Sequence, residues 1–173
     1  MSRLYVCSLA EMPGHVAALH PDRLITLLQE EWQPPTPLRF DPAHHHRVVV
    51  NDITEPMPDQ ILPTREHVEG LVDFLEASRE VSLLIHCYAG VSRSTAAALI
   101  AMVLHAPGRE RDAARALRAA AAYAQPNRLI LQHADDILGR RGGLLAALAS
   151  MGPAEPVTEA PGLLELPRAL NSS

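Results

Sequence analysis

Residues 86–94 read HCYAGVSRS, which brings an imidazole, a thiol, a glycine, a guanidinium and two serine hydroxyls together in nine positions. A cysteine six positions before an arginine is weak evidence by itself in an arginine-rich chain, so its setting must supply the meaning. Cys87 closes the apolar run VSLLIHC and Arg93 with Ser94 opens an Ala-rich helical run, so the stretch reads as a strand-to-helix loop. In open α/β sheets, ligands sit at that carboxyl edge. Backbone N–H groups wrapped by such a loop, together with the partial positive charge of a helix N-terminus, attract an anion. Gly90 permits the unusual backbone angles or close approach this needs. The same positive surroundings favour thiolate over thiol at Cys87, and the planar, permanently charged Arg93 can hold two phosphoryl oxygens at once. The joint reading is a turn that binds a phosphoryl group and attacks it. The competing reading of Cys87 is a small buried hydrophobe ending a strand, which is how Cys7 reads.

The elements that must position this loop follow from periodicity. Short apolar runs predict strands over 4–9, 23–28, 47–53 and 81–87, although the second could begin a helix. Between the second and third lies EEWQPPTPLRFDPAHHH, whose prolines predict an irregular crossing, and TEPMPDQILP after the third is another Pro-rich loop. From Pro63 the apolar residues Val68, Leu71, Val72 and Leu75 recur at helical spacing. Further helices are predicted over 94–104, 110–122, 127–138 and 143–150. The pattern predicts an α/β fold: one domain with a mostly parallel central sheet of four to five strands flanked by helices on both faces. A domain over 1–151 is followed by a Pro-rich tail, 152–173, expected to be mostly disordered, with LLELPRAL as a candidate docking element.

Composition removes several function classes. All fifteen basic residues are arginine, which excludes lysine Schiff-base chemistry and a Walker-type phosphate loop. A net charge of −5 argues against nucleic acid as a partner, since that binding needs a concentrated basic face. Arg111, Arg115 and Arg118 share helical spacing but are interleaved with Glu110 and Asp112, which reads as a solvated helix face. Two distant cysteines fit a reducing compartment. With no leader-like segment at the start of the chain and no apolar stretch long enough to span a bilayer, a soluble cytoplasmic protein with no membrane partner is expected. The His44–His46 run lacks a completing ligand nearby and reads as solvated loop histidines.

HCYAGVSRS resembles the signature loop of the cysteine-dependent protein tyrosine phosphatase superfamily, H-C-x-x-G-x-x-R-S/T. Its A-G-V-S-R-S form is similar to a small bacterial-type dual-specificity-like phosphatase. VVVNDI and AQPNRLILQHADDIL resemble the flanking acid-bearing strand and the Pro-Asn helix start, so the likeness covers about residues 4–139. The resemblance implies that Cys87 is the nucleophile forming a cysteinyl-phosphate and that Arg93 binds phosphoryl oxygens with the N–H groups of Tyr88, Ala89, Gly90, Val91 and Ser92. It also implies that His86 orients the thiolate and that Ser94 stabilises it as leaving group. An acid must protonate the departing alcohol. Asp52, directly after a strand as in the N-D pattern, is the candidate, with Asp59 as the alternative and a turn-capping role open to either. Asn127 would support the loops, or simply cap a helix.

Trp32 is not beside the acid in sequence and no long insertion is present, so a shallow pocket is implied. The loop lacks the lysines of phosphoinositide-selective relatives. The substrate implied is a phosphorylated protein, with phosphotyrosine foremost and phosphoserine or phosphothreonine as alternatives, or else a non-protein ester such as a phosphoinositide or another small phosphate ester, with no cofactor or metal required. A rhodanese-like sulfurtransferase and a non-catalytic phosphate-binding module are the rival readings. Low-molecular-weight phosphatases carry a similar loop after their first strand, whereas several elements precede it here.

Overall fold

The computed structural model describes residues 2–168 and 170. Strands β1 (Leu4–Cys7), β2 (Arg23–Leu28), β3 (His45–Val49), β4 (Leu83–His86) and β5 (Leu164–Leu166) form one sheet in the order β3-β2-β4-β1-β5. The first four run parallel, and β5 is antiparallel to β1. Parallel strands covered on both faces read as continuous apolar runs, which is why β1, β2 and β4 were legible. Side chains alternate: Leu4, Val6, Ile25, Leu27, Leu83 and Ile85 join the main core, while Tyr5, Cys7, Leu24 and Leu84 join a smaller one on the opposite face.

Five helices cover the main face: α2 (Arg65–Ala77), α3 (Arg93–Val103), α4 (Glu110–Ala120), α5 (Arg128–Leu138) and α6 (Gly143–Ser150). Every residue of α3 is buried, as expected of a helix apolar on all sides. Its small alanines let it lie against β1, β2 and β4 while α2, α4 and α5 close around it. Helix α2 begins after Thr64, whose side chain accepts from the His67 N–H while the His67 ring bonds back to Thr64, so Pro63 lies just outside the helix.

Four expectations are corrected. Helix α1 (Met12–Leu19) was not anticipated, because MPGHVAAL has no strong apolar period; it forms where Met12 plugs the smaller core and Pro13 suits the first turn. Strand β3 starts two residues earlier than expected, so His45 and His46 are strand residues, not solvated loop residues. His45 is buried, and His46 stacks on Phe74 with ring centroids 5.0 Å apart.

The segment after residue 151 is also ordered where described. Leu164 and Leu166 of β5 point into the core on either side of the exposed Glu165. A three-residue edge strand has too short a period to be recognised in sequence, and its partner β1 lies far away in the chain. Finally, Arg118 does not belong to a solvated face. Its guanidinium donates to the carbonyls of Ala121, Ala122, Ala124, Met151 and Gly152, and so anchors the start of this segment.

Candidate active site

The loop between β4 and α3 owes its shape to how its carbonyls are held. Cys87 O accepts from His86 Nδ1 at 3.3 Å, Tyr88 O from Leu9 N at 3.0 Å and Ala89 O from Ala160 N at 2.8 Å. Val91 O accepts from Gln125 N at 3.0 Å, and Ser92 O from Asn127 N at 3.2 Å. In a trans peptide the next N–H points opposite to the carbonyl. Five outward-tied carbonyls therefore turn the N–H groups of Tyr88, Ala89, Gly90, Ser92 and Arg93 the other way, as a backbone nest at the start of α3, a geometry suited to an anion. Gly90 has φ +75°, and a Cβ there would lie 2.9 Å from the Cys7 carbonyl carbon. Both the dihedral and the close approach require glycine.

One of these ties comes from the ordered C-terminal segment. Ala160→Pro removes the N–H that holds the Ala89 carbonyl. It is expected to weaken orthovanadate binding about tenfold, within the ~1–3 kcal/mol range for leaving an acceptor unsatisfied, as measured by competitive inhibition.

Cys87 is buried at the base of the loop, with Sγ 3.1 Å from Ser94 Oγ. Arg93 is 5% exposed, and its Nη1 donates to Gln29 Oε1 and to Val50 O, both at 3.0 Å. Its Nε is buried without a protein partner. A buried cationic donor without an acceptor is costly, and the neighbouring nest is where an oxyanion would satisfy it. Gln29, at the carboxyl end of β2, was missed in sequence because glutamine beside a glutamate pair carries no signature.

Asp52 lies in the loop after β3, where its Oδ1 accepts from Ser92 Oγ at 2.8 Å and from Asn127 Nδ2 at 2.9 Å. Asn127 also caps α5, its Oδ1 accepting from Ile130 N at 3.0 Å, so it joins the Asp52 loop, the 87–93 loop and the helix. Ser92, spent on Asp52, provides no side-chain cap to α3. Asp59 is exposed at a turn with φ +59°, and no side-chain bond to it is found among the described residues. Trp32 packs edge-on against Tyr88 with centroids 5.4 Å apart. Together with Leu9, Ala10, Thr158 and Glu159 they line a groove of about 430 Å³ beside the loop. Trp32 therefore meets the signature loop itself, a contact that sequence spacing did not reveal.

His86 is fully buried and its Nε2 lies 2.6 Å from Thr26 Oγ1. Burial is the main cause that pushes its pKa down from 6.5 to about 4, and the same holds for His45. Between those values the unfolded chain binds protons that the folded chain refuses. Their contribution to stability is therefore complete above pH ~6.5 and is lost as pH falls towards about 4. A lower urea midpoint is expected at about pH 4.5 than at pH 7.5, and His45→Gln should reduce that difference. Burial also pushes Cys7 up to about 12, leaving it a core thiol.

Among the described residues, no helix is long and apolar enough to cross a membrane. No group of three His, Cys, Asp or Glu side chains there is placed to hold a metal. No family model matches the sequence, and no curated protein is similar to it at the sequence level. Solved structures do match. DUSP15 superposes with a TM-score of 0.61 at 19% identity, covering 87% of this chain and 89% of that one. Human DUSP28 gives 0.58 at 18% identity, covering 85% and 94%. PTPMT1, solved in complex with PI(5)P, gives 0.57 at 16% identity, covering 78% and 86%. The fold is thus that of the cysteine-dependent dual-specificity and tyrosine phosphatases.

Proposed function

We propose that this protein hydrolyses phosphate monoesters through a cysteinyl-phosphate, acting foremost on phosphotyrosine. The observation that carries the reading is the tying of five carbonyls of the loop that begins at Cys87, which turns five N–H groups the other way, together with a buried Arg93 Nε that has no partner among the described residues. In the first step the Cys87 thiolate attacks phosphorus, the bond from phosphorus to the ester oxygen breaks, and Asp52 protonates that oxygen. Because Oδ1 already accepts two bonds, the transferred proton resides on Oδ2. In the second step Asp52 takes a proton from water as its oxygen attacks phosphorus. The thiolate leaves, stabilised by a hydrogen bond from Ser94, and inorganic phosphate is released.

The rim favours an aryl ester. Trp32 and Tyr88 form a half-exposed aromatic edge, and the groove beside them carries Glu159 and, among the described residues, no cation. Such a rim suits an apolar leaving group and repels a multiply phosphorylated headgroup. The chemistry needs Cys87 reduced, in keeping with a cytoplasmic setting. The test compares turnover of para-nitrophenyl phosphate, a phosphotyrosyl peptide, a phosphoseryl peptide and PI(5)P with cyanolysis of thiosulfate. Faster turnover of the two aryl esters is expected. Thiosulfate cyanolysis without phosphate release would establish sulfur transfer instead, and phosphopeptide binding without turnover would establish a recognition module.

A further inference from the structure

Behind the loop, on the sheet face opposite the five-helix layer, polar side chains of β2, β3 and β4, with Thr36 from the crossing between β2 and β3, form a continuous chain of hydrogen bonds. The parallel register places Thr26 beside His86 on one side and beside Arg47 on the other, with His45 opposite Leu24. Arg47 Nη2 lies 3.2 Å from Thr36 Oγ1, and Thr36 Oγ1 lies 2.8 Å from His45 Nδ1. His45 Nε2 lies 2.8 Å from Thr26 Oγ1, which lies 2.6 Å from His86 Nε2. His86 Nδ1 then reaches Cys87 O.

The two ends fix the direction of every bond between them. A guanidinium only donates and a carbonyl only accepts. At the inner end His86 Nδ1 must carry the proton it gives to Cys87 O. A neutral ring then has a bare Nε2, so the Thr26 hydroxyl must donate to it. Thr26 in turn has a lone pair for the His45 Nε2–H, which leaves His45 Nδ1 bare to accept from the Thr36 hydroxyl. Thr36 accepts from Arg47, and the chain closes with no donor facing a donor. Burial holds both rings neutral, as this ordering requires.

We propose that Thr26 and His45 are positioning residues that lock His86 in its Nδ1–H tautomer, so that the Cys87 carbonyl stays outside the nest and the Tyr88 N–H faces into it. This rests on the reading of the loop as a phosphate-binding nest. The role is separate from structural packing because it acts through a protonation pattern: an isosteric side chain without a hydroxyl fills the same space yet leaves His86 Nε2 without its donor.

The experiment is long-range ¹H–¹⁵N correlation on histidine-labelled protein near pH 7, combined with para-nitrophenyl phosphate kinetics and orthovanadate inhibition. Wild type is expected to show His86 as the Nδ1–H tautomer and His45 as the Nε2–H tautomer. Thr26→Val should redistribute the His86 proton towards Nε2 and weaken orthovanadate inhibition about tenfold, whereas Thr26→Ser should restore both. His45→Leu should shift the His86 resonances in the same direction by a smaller amount, and supplies the readout if Thr26→Val does not fold. A wild-type His86 protonated on Nε2 overturns the proposal, as does a folded Thr26→Val protein with an unchanged tautomer and inhibition within twofold of wild type. Wild-type protein with the expected tautomers but neither turnover nor orthovanadate binding overturns the phosphatase reading and the loop-positioning role with it, leaving only the bond order.

Discussion

Cys87→Ser is expected to lower kcat for para-nitrophenyl phosphate by on the order of 10⁴- to 10⁶-fold, the scale on which removal of a nucleophile acts. A serine hydroxyl does not ionise near neutral pH and is a far weaker nucleophile than sulfur, and Ser94 would then face a second hydroxyl in place of the Cys87 sulfur. The nest itself does not depend on sulfur. Its carbonyls are tied by Leu9, Ala160, Gln125 and Asn127, and Arg93 stays anchored by Gln29 and Val50. Isothermal titration of the variant with a phosphotyrosyl peptide should therefore give binding within a few fold of wild type, judged as substrate affinity under single-turnover conditions. Iodoacetate should modify Cys87 in wild type and spare Cys7, which burial keeps protonated. A Cys87→Ser protein with appreciable turnover would remove the covalent step from the account.

Asp52→Ala is expected to lower kcat by roughly 10²- to 10⁴-fold, the range for loss of a positioned general acid. The loss should shrink for a substrate whose leaving group needs no protonation, such as a dinitrophenyl ester. This dependence on leaving group separates acid catalysis from the other job Asp52 does, holding Ser92 and Asn127 against the loop. Asp52→Asn offers oxygen and amide in the same shape but cannot deliver a carboxyl proton, so its deficit should match that of the alanine variant on para-nitrophenyl phosphate. Asp59→Ala is expected to stay within about threefold of wild type, in keeping with an exposed turn position. A larger loss at Asp59 than at Asp52 would transfer the acid role to the turn.

Local chemistry was legible in the chain wherever it is carried by neighbours in sequence. Apolar runs located β1, β2 and β4, helical spacing located α2 to α6, and the nine residues from His86 to Ser94 were legible as a strand-to-helix turn carrying a thiol, a glycine and a guanidinium. Those features depend on i, i+2 and i, i+4 relations that a linear string displays. The structure alone decided what surrounds them. Gln29 and Trp32 from the turn after β2, and Ala160 from the C-terminal segment, reach the loop from two distant stretches of chain, and the ordered edge strand β5 could not be foreseen because three residues gain order only from a partner strand about 160 positions away. His45 looked like part of a solvated run, and only the β2–β3 register, which sets it opposite Leu24 with its ring in reach of the Thr26 hydroxyl on the same face, turned it into a buried link to His86. Hydrogen-bond direction is a property of such assembled partners, so no reading of residue types along the chain could supply it.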